Sequence, residues 1–227
     1  MQHLAAIMSG NRRWAAKNNV FSGHQYGLEA VKRIIKFCLD RGIKYLSLYT
    51  LSTENLRNRP KAEVDFLLNL FETRFAKELP EFIKNQVRIR FIGDRSLFPE
   101  RSKQVIQTLE DATKDFKALT VNLLFCYGAR AEITDTVKRI AQQVQSGAIS
   151  VDQINDQTIH SSLWTDGMPD PELIIRTGKD SRLSNFLLLQ AAYSELMFLD
   201  AYWPEVDEVL LDDCLKRFKA IKPNFGA

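Results

Sequence analysis

The sequence predicts a single α/β domain, residues 1–227, built on a mostly parallel six-stranded sheet flanked by helices. Three observations predict it. Short apolar runs alternate along the chain with segments whose apolar residues repeat at helical spacing. The polar signatures fall directly after the apolar runs, where a parallel sheet presents its carboxyl edge. The 227 residues, 45% apolar and 26% charged, suit one full core, and no internal repeat or linker divides them.

In chain order, His3 to Ile7 is a short apolar run suited to a buried strand. Gly10 and Asn11 then favour a turn, and Arg12, Arg13 and Trp14 begin a helical composition. A helix after Gly27 carries Ala30, Val31, Ile34, Ile35 and Cys38 on one face and ends at Gly42. Tyr45 to Leu51 reads as the second strand, running into the polar loop Ser52 to Asn55. Lys61 to Asn85 reads as helix with a break near Pro80. Val87 to Ile92 is a third strand, and Pro99 to Phe116 a helix opened by its proline. Thr120 to Phe125 is a fourth strand, followed by a helix over Ala131 to Gln145. Glu172 to Arg176 is a short fifth strand, Phe186 to Ala192 a further helix, and Leu196 to Leu199 a sixth strand. Glu208 to Ile221 is the last helix.

Composition narrows the function. A net charge of +3 does not predict a nucleic-acid protein; the arginines instead cluster around turns, which points to small anionic ligands. Cys38, Cys126 and Cys214 have no paired spacing and read as buried thiols in a reducing compartment. No apolar run approaches 18 residues, and the first residues lack a signal-peptide pattern, so a cytoplasmic protein is expected.

Arg12 and Arg13 beside the turn at Gly10 make a seat for a phosphate, and Arg59, Arg176 and Arg182 each follow a strand or adjoin Gly or Pro. His24, in Gly-His-x-x-Gly, suits either a helix start or a phosphate contact. Ser52, Glu54 and Asn55 suit either a helix cap or a ligand loop. Glu195 is a carboxylate in an apolar segment, which calls for a cation or an arginine partner. With no His/Cys ligand set, Mg²⁺ held by one or two carboxylates and substrate phosphates fits better than zinc. Tyr193 to Trp203 carries more apolar surface than a short strand and turn use internally, and reads as an interface.

These pieces, in order, resemble the cis-prenyltransferases, the family of undecaprenyl diphosphate synthase. The matching residues are Met8-x-Gly10-Asn11-x-Arg13-Trp14-Ala15, Gly23-His24-x-x-Gly27, Ser52-Thr53-Glu54-Asn55 with Arg59-Pro60, and Tyr127-Gly128-x-Arg130. Arg176-Thr177-Gly178, Arg182-Leu183-Ser184-Asn185-Phe186-Leu187-Leu188, Tyr193-x-Glu195-Leu196 and Trp203-Pro204 complete the set. The resemblance implies a homodimer with a hydrophobic tunnel, condensing isopentenyl diphosphate with an allylic diphosphate such as farnesyl diphosphate into a long polyprenyl diphosphate. It also implies peripheral association with a membrane surface for the lipid product.

By the same resemblance Gly10, Asn11, Arg13 and His24 hold the allylic diphosphate, with Arg12 and Arg59 nearby. Trp14, Ser52, Thr53, Glu54 and Asn55 border the reacting ends. Arg176, Arg182, Leu183 and Ser184 hold isopentenyl diphosphate. Asn55 stands near the proton that is lost, and Ser9 and Glu195 occupy the Mg²⁺ positions. Several positions depart from the family pattern. Ser9 stands where the family has Asp, Val20 where it has Arg, Lys179-Asp180 where it has Gly-Glu, and Asn224-Phe225-Gly226 where it has Arg-x-Gly. Three readings stay open: a synthase impaired by Ser9, a divergent paralogue making another isoprenoid, and a non-catalytic diphosphate-binding partner.

Overall fold

The structure, a computed structural model, describes residues 1–221, so the Asn224-Phe225-Gly226 departure lies outside the described residues. Its strands are β1 (His3–Ile7), β2 (Tyr45–Ser52), β3 (Val87–Ile92), β4 (Leu119–Tyr127), β5 (Leu173–Arg176) and β6 (Glu195–Phe198). The helices are α1 (Asn11–Lys17), α2 (His24–Asp40), α3 (Thr53–Asn58), α4 (Lys61–Leu70), α5 (Leu79–Lys84), α6 (Glu100–Thr113), α7 (Ala129–Gln145), α8 (Asp156–His160) and α9 (Glu208–Ala220). The strands form one sheet in the order β3-β4-β2-β1-β5-β6, and every adjacent pair is parallel.

A parallel sheet is covered on both faces, which is why its strands read as continuous apolar runs. All five residues of β1 are buried. Alternation sends Leu4 and Ala6 into the larger cluster, packed by Ile34 and Cys38 of α2 and Leu211 of α9. Ala5 and Ile7 go to the other face, among Leu124, Tyr127, Phe186 and Leu187. All three cysteines are free and buried, as expected.

Three expectations are corrected, and the apolar surface of a fourth segment is divided. Lys61 to Asn85 is not one helix: α4 ends at Leu70, a π turn spans Phe71–Phe75 and a 3₁₀ turn Ala76–Glu78 before α5 begins. The path changes nine residues ahead of Pro80, where Phe71 and Phe75 turn their rings into the aromatic core. Ser52 to Asn55 is a cap and first turn, not a loop, because the Ser52 hydroxyl accepts the Asn55 N–H at 3.0 Å. Phe186 to Ala192 is a series of turns, since Ser184, Asn185 and Leu187 hold φ values of 51, 66 and 44°, incompatible with a right-handed helix. Within Tyr193 to Trp203, Met197, Leu199 and Trp203 belong to the chain's own core, and only Tyr193, Leu196 and Phe198 are left exposed on the β6 side.

The two sheet edges differ. On β3 the outward N–H groups of Ile89 and Phe91 donate to Thr113 Oγ1 (3.0 Å) and Glu110 Oε1 (2.8 Å) of α6, which closes that edge. The chain leaves β1 toward β2 on one side and passes from β5 to β6 on the other. The crevice between β1 and β5 is therefore a topological switch point, the place where such sheets take ligands.

Candidate active site

The loops that follow β1 and β5 are fastened to each other before any ligand arrives. The Ser9 carbonyl accepts the Thr177 hydroxyl at 2.8 Å and the Trp203 N–H at 3.0 Å. Gly178, at φ +91°, lets the β5 loop pass directly over this turn. A Cβ there would lie 2.7 Å from Ser9 Cβ and 2.8 Å from Arg13 Nη2. Gly27 does the same for α2, since a Cβ would fall 2.4 Å from Asn11 Oδ1. The glycines of the sequence motifs are thus close-approach positions that bring α1, α2 and the β5 loop together.

Two basic clusters result, each gathered round a carboxylate. Asp180 accepts Arg13 Nη2 at 2.9 Å, pairs with Arg182 Nη1 at 3.0 Å and lies 3.7 Å from Arg176 Nη2. Burial works to raise its pKa, but the Arg13 hydrogen bond and the charges of Arg182, Arg13 and Arg176 hold it below the usual carboxylate range. Glu63 of α4 accepts Arg59 Nη1 at 3.1 Å, with Arg12 Nη1 at 3.9 Å and His24 Nε2 at 4.0 Å. Burial and the charge of Arg59 push the His24 pKa down to about 4, leaving the ring neutral at pH 7.

Arg176 is 4% exposed; its Nη1 donates to Ser184 Oγ at 2.8 Å and to the Arg182 carbonyl, while its Nε has no partner. Burial and the nearby Arg182 lower its pKa from the ordinary value. Asn11 Oδ1 and His24 Nε2 are also buried without a partner. Asn11, His24 and Arg176 all come to one place at the carboxyl edge of the sheet.

That place is the mouth of a cleft of about 750 Å³. Its floor is apolar, lined by Leu67, Leu70, Phe71, Phe75, Phe91, Leu123 and Phe125. Phe71 belongs to this floor, with its ring 5.3 Å from Phe91, 5.5 Å from Phe125 and 5.9 Å from Phe75.

Of the residues selected from sequence, Ser9, Gly10, Asn11, Arg12, Arg13, His24, Ser52, Glu54, Asn55, Arg59, Arg176, Arg182 and Ser184 line this cleft. Four others do not, Glu195 among them. Trp14 packs on Tyr26 at 4.7 Å, Thr53 is buried behind the wall, and Leu183 packs into the smaller apolar cluster. Sequence reasoning missed Asp180, Glu63 and Asn185. Asn185 donates to Glu54 Oε1 at 2.7 Å and accepts the Arg130 N–H at 2.9 Å, tying three carboxyl-edge segments together. The spacing Arg59/Glu63, i to i+4 on one helix approach, was a readable signal for the second carboxylate.

The Mg²⁺ expectation meets a geometric obstacle. Glu195 pairs in register with Leu173, and Leu173 with Leu4, at the amino end of the sheet; Ser9 follows Ile7, which pairs with Arg176 at the carboxyl end. One chain therefore does not bring Ser9 and Glu195 together. The cleft-lining carboxylates are Glu54, bonded to Asn185, and Asp180, held by three arginines. Among the described residues no group of three His, Cys, Asp or Glu side chains could hold a metal ion. The residues present do not fit a protein-held cation.

Fold and cleft together define a class: an α/β protein whose parallel sheet presents two arginine clusters at the mouth of a greasy cavity, built for amphipathic anions. The sequence matches, over residues 7–226, a family described as "Putative undecaprenyl diphosphate synthase", and the chain belongs to this family of prenyltransferases. It is 40% identical over 226 residues to an isoprenyl transferase of Oceanobacillus iheyensis, covering 99% of this chain and 89% of that protein. It is 41% identical over 229 residues to the geranylgeranyl-diphosphate-specific tritrans,polycis-undecaprenyl-diphosphate synthase of Methanopyrus kandleri, covering 99% and 84%. Among solved structures, lavandulyl diphosphate synthase from Lavandula x intermedia, in complex with dimethylallyl diphosphate, superposes with a TM-score of 0.96 at 33% identity, covering 100% of this chain and 98% of that one. A probable undecaprenyl diphosphate synthase from Campylobacter jejuni gives 0.83, also at 33% identity, covering 100% and 99%.

Proposed function

We propose that this chain condenses isopentenyl diphosphate with an allylic diphosphate, farnesyl diphosphate foremost, to give a polyprenyl diphosphate of the undecaprenyl type. The observation that carries this reading is the pairing of two arginine clusters with one apolar cleft, which suits two diphosphate heads and a growing hydrocarbon tail. Arg12, Arg59 and His24 with the Gly10–Asn11 turn serve the allylic head. Arg176, Arg182 and Ser184 serve isopentenyl diphosphate, and Arg13 stands between the two.

In the reaction the allylic C–O bond breaks and its electron pair leaves on the diphosphate. The isopentenyl double bond attacks the allylic carbon, a C–C bond forms, and the neighbouring carbon loses a proton to a diphosphate oxygen. The arginines meet the charge that grows on the leaving group. Asn55 lines the cleft, but an amide is no base at neutral pH, so its part is to orient the reacting ends. The cofactor the family resemblance implies is Mg²⁺, for which this chain's own residues do not form a binding site.

A second reading, a short or branched isoprenoid product, is supported by the closer superposition on lavandulyl diphosphate synthase. Incubation with farnesyl and isopentenyl diphosphates, and separately with dimethylallyl diphosphate alone, followed by mass spectrometry of the products, separates the two. A ladder of isoprene additions in the first mixture supports the main reading; product only in the second overturns it. We also read the chain as a cytoplasmic homodimer that meets membranes at their surface. No helix among the described residues is long and apolar enough to cross one.

A further inference from the structure

We propose that this chain holds the diphosphates of its substrates with its arginines and neutral donors and lends no protein ligand to a metal ion. The inference rests on the diphosphate reading above and deepens it. Its first ground is the side chain at position 9, a neutral hydroxyl set against Gly178 and Arg13, where the turn after β1 enters the cleft. A hard dication prefers charged oxygen ligands, and a hydroxyl flanked by a guanidinium is a poor one.

The second ground is the carboxylate supply. Asp180 is the carboxylate nearest this turn by its links to Arg13, and it is already shared by Arg13, Arg176 and Arg182 at 2.9, 3.7 and 3.0 Å. A cation brought to Asp180 would meet three fixed positive charges for one negative. Glu54 is engaged by Asn185 and lies in the first turn of α3.

The third ground is the charge of the site. Arg176, 4% exposed, is held at the cleft by Ser184 and the Arg182 carbonyl, and its guanidinium calls for an anion, not for a metal. The five arginines that line the cleft outnumber the carboxylates among and beside them, Glu54, Asp180 and the Arg59 partner Glu63. That excess is directed at diphosphate itself, and any divalent ion present would arrive on the substrate and be met by substrate oxygens and water.

The test is isothermal titration of the full chain with inorganic diphosphate, once in EDTA and once in excess MgCl₂. The expected dissociation constant in EDTA is within threefold of the value in Mg²⁺, or tighter. The same titration of Ser9→Asp should show at least a tenfold loss of affinity in EDTA, because the new carboxylate faces the anion, and recovery on adding Mg²⁺. A wild-type chain that binds at least tenfold more weakly in EDTA overturns the inference while leaving the diphosphate site standing. Absence of binding in both buffers overturns the diphosphate reading, and the inference falls with it.

Discussion

Arg176 shows what a buried guanidinium demands and what it offers. Desolvating it is costly unless its charge and N–H groups are met, and the structure meets Nη1 with Ser184 and the Arg182 carbonyl and sets Asp180 beside Nη2. Arg182 is different: 63% exposed, it can be removed without opening the core. Arg182→Ala is therefore expected to raise the KM for isopentenyl diphosphate by about 10- to 100-fold, the worth of a charge-assisted hydrogen bond, with less than threefold change for the allylic substrate. Steady-state kinetics varying each substrate checks this, and equal losses for both would dissolve the division into two subsites. Asp180 predicts the opposite sign. It competes for the arginines that diphosphate needs, so Asp180→Asn should tighten inorganic diphosphate binding by roughly 3- to 10-fold in calorimetry, in line with ~1 kcal/mol per exposed charge pair at 4 Å; weakened binding would show that its role is to hold the arginines in place. The arginines were legible in sequence because each follows a strand or adjoins Gly or Pro. Asp180 was not, since an acid between basic residues reads as ordinary surface charge until three arginines from two loops are seen to point at it.

At the scale of elements, the stretch from α4 to α5 supplies much of the apolar lining of the cavity. Its composition is helical throughout, and local propensity gives no reason to leave the α path at Leu70. The reason is tertiary. The wider turn over Phe71–Phe75 turns Phe71 toward Phe91 of β3 and Phe125 of β4, and π turns of this kind recur at functional sites. Phe71→Leu is expected to cost roughly 1–2 kcal/mol of stability, as a smaller apolar side chain in a packed site, and to let the longest product grow by at least one isoprene unit. Urea unfolding and product sizing check the two halves; an unchanged product with a destabilised fold would place the stop elsewhere. The strands were legible to within one or two residues because a buried parallel sheet has only one apolar pattern to write. The segment after Ser184 was not, because its three positive-φ residues are set by contacts between loops, such as Asn185 with Arg130 and Glu54, that lie 55 and 131 positions away.

Over the whole molecule, stability is coupled to pH through two neutral imidazoles. His3, in the middle of the sheet, donates from Nδ1 to the Pro169 carbonyl at 2.7 Å, so its Nε2 accepts the Ser47 hydroxyl at 2.8 Å. Burial pushes its pKa from 6.5 down to about 4. Between those values the unfolded chain takes up a proton that the folded chain refuses, so stability is full above pH 6.5 and falls as pH drops toward 4. For His3 the loss is about 3 kcal/mol, and His24, lowered to about 4 as well, adds to it with the same sign. Urea unfolding at pH 7.5, 5.5 and 4.5 is expected to give steadily lower midpoints, with a shallower decline when inorganic diphosphate is bound; a flat profile would mean that both rings are protonated in the native state. The closed edge at β3 has a further consequence. With Thr113 and Glu110 occupying its N–H groups, the sheet can be lengthened only beside β6, where Leu196 and Phe198 lie open. Two copies that met there would each use up the other's single vacancy, so that the architecture that admits a pair denies a fibre.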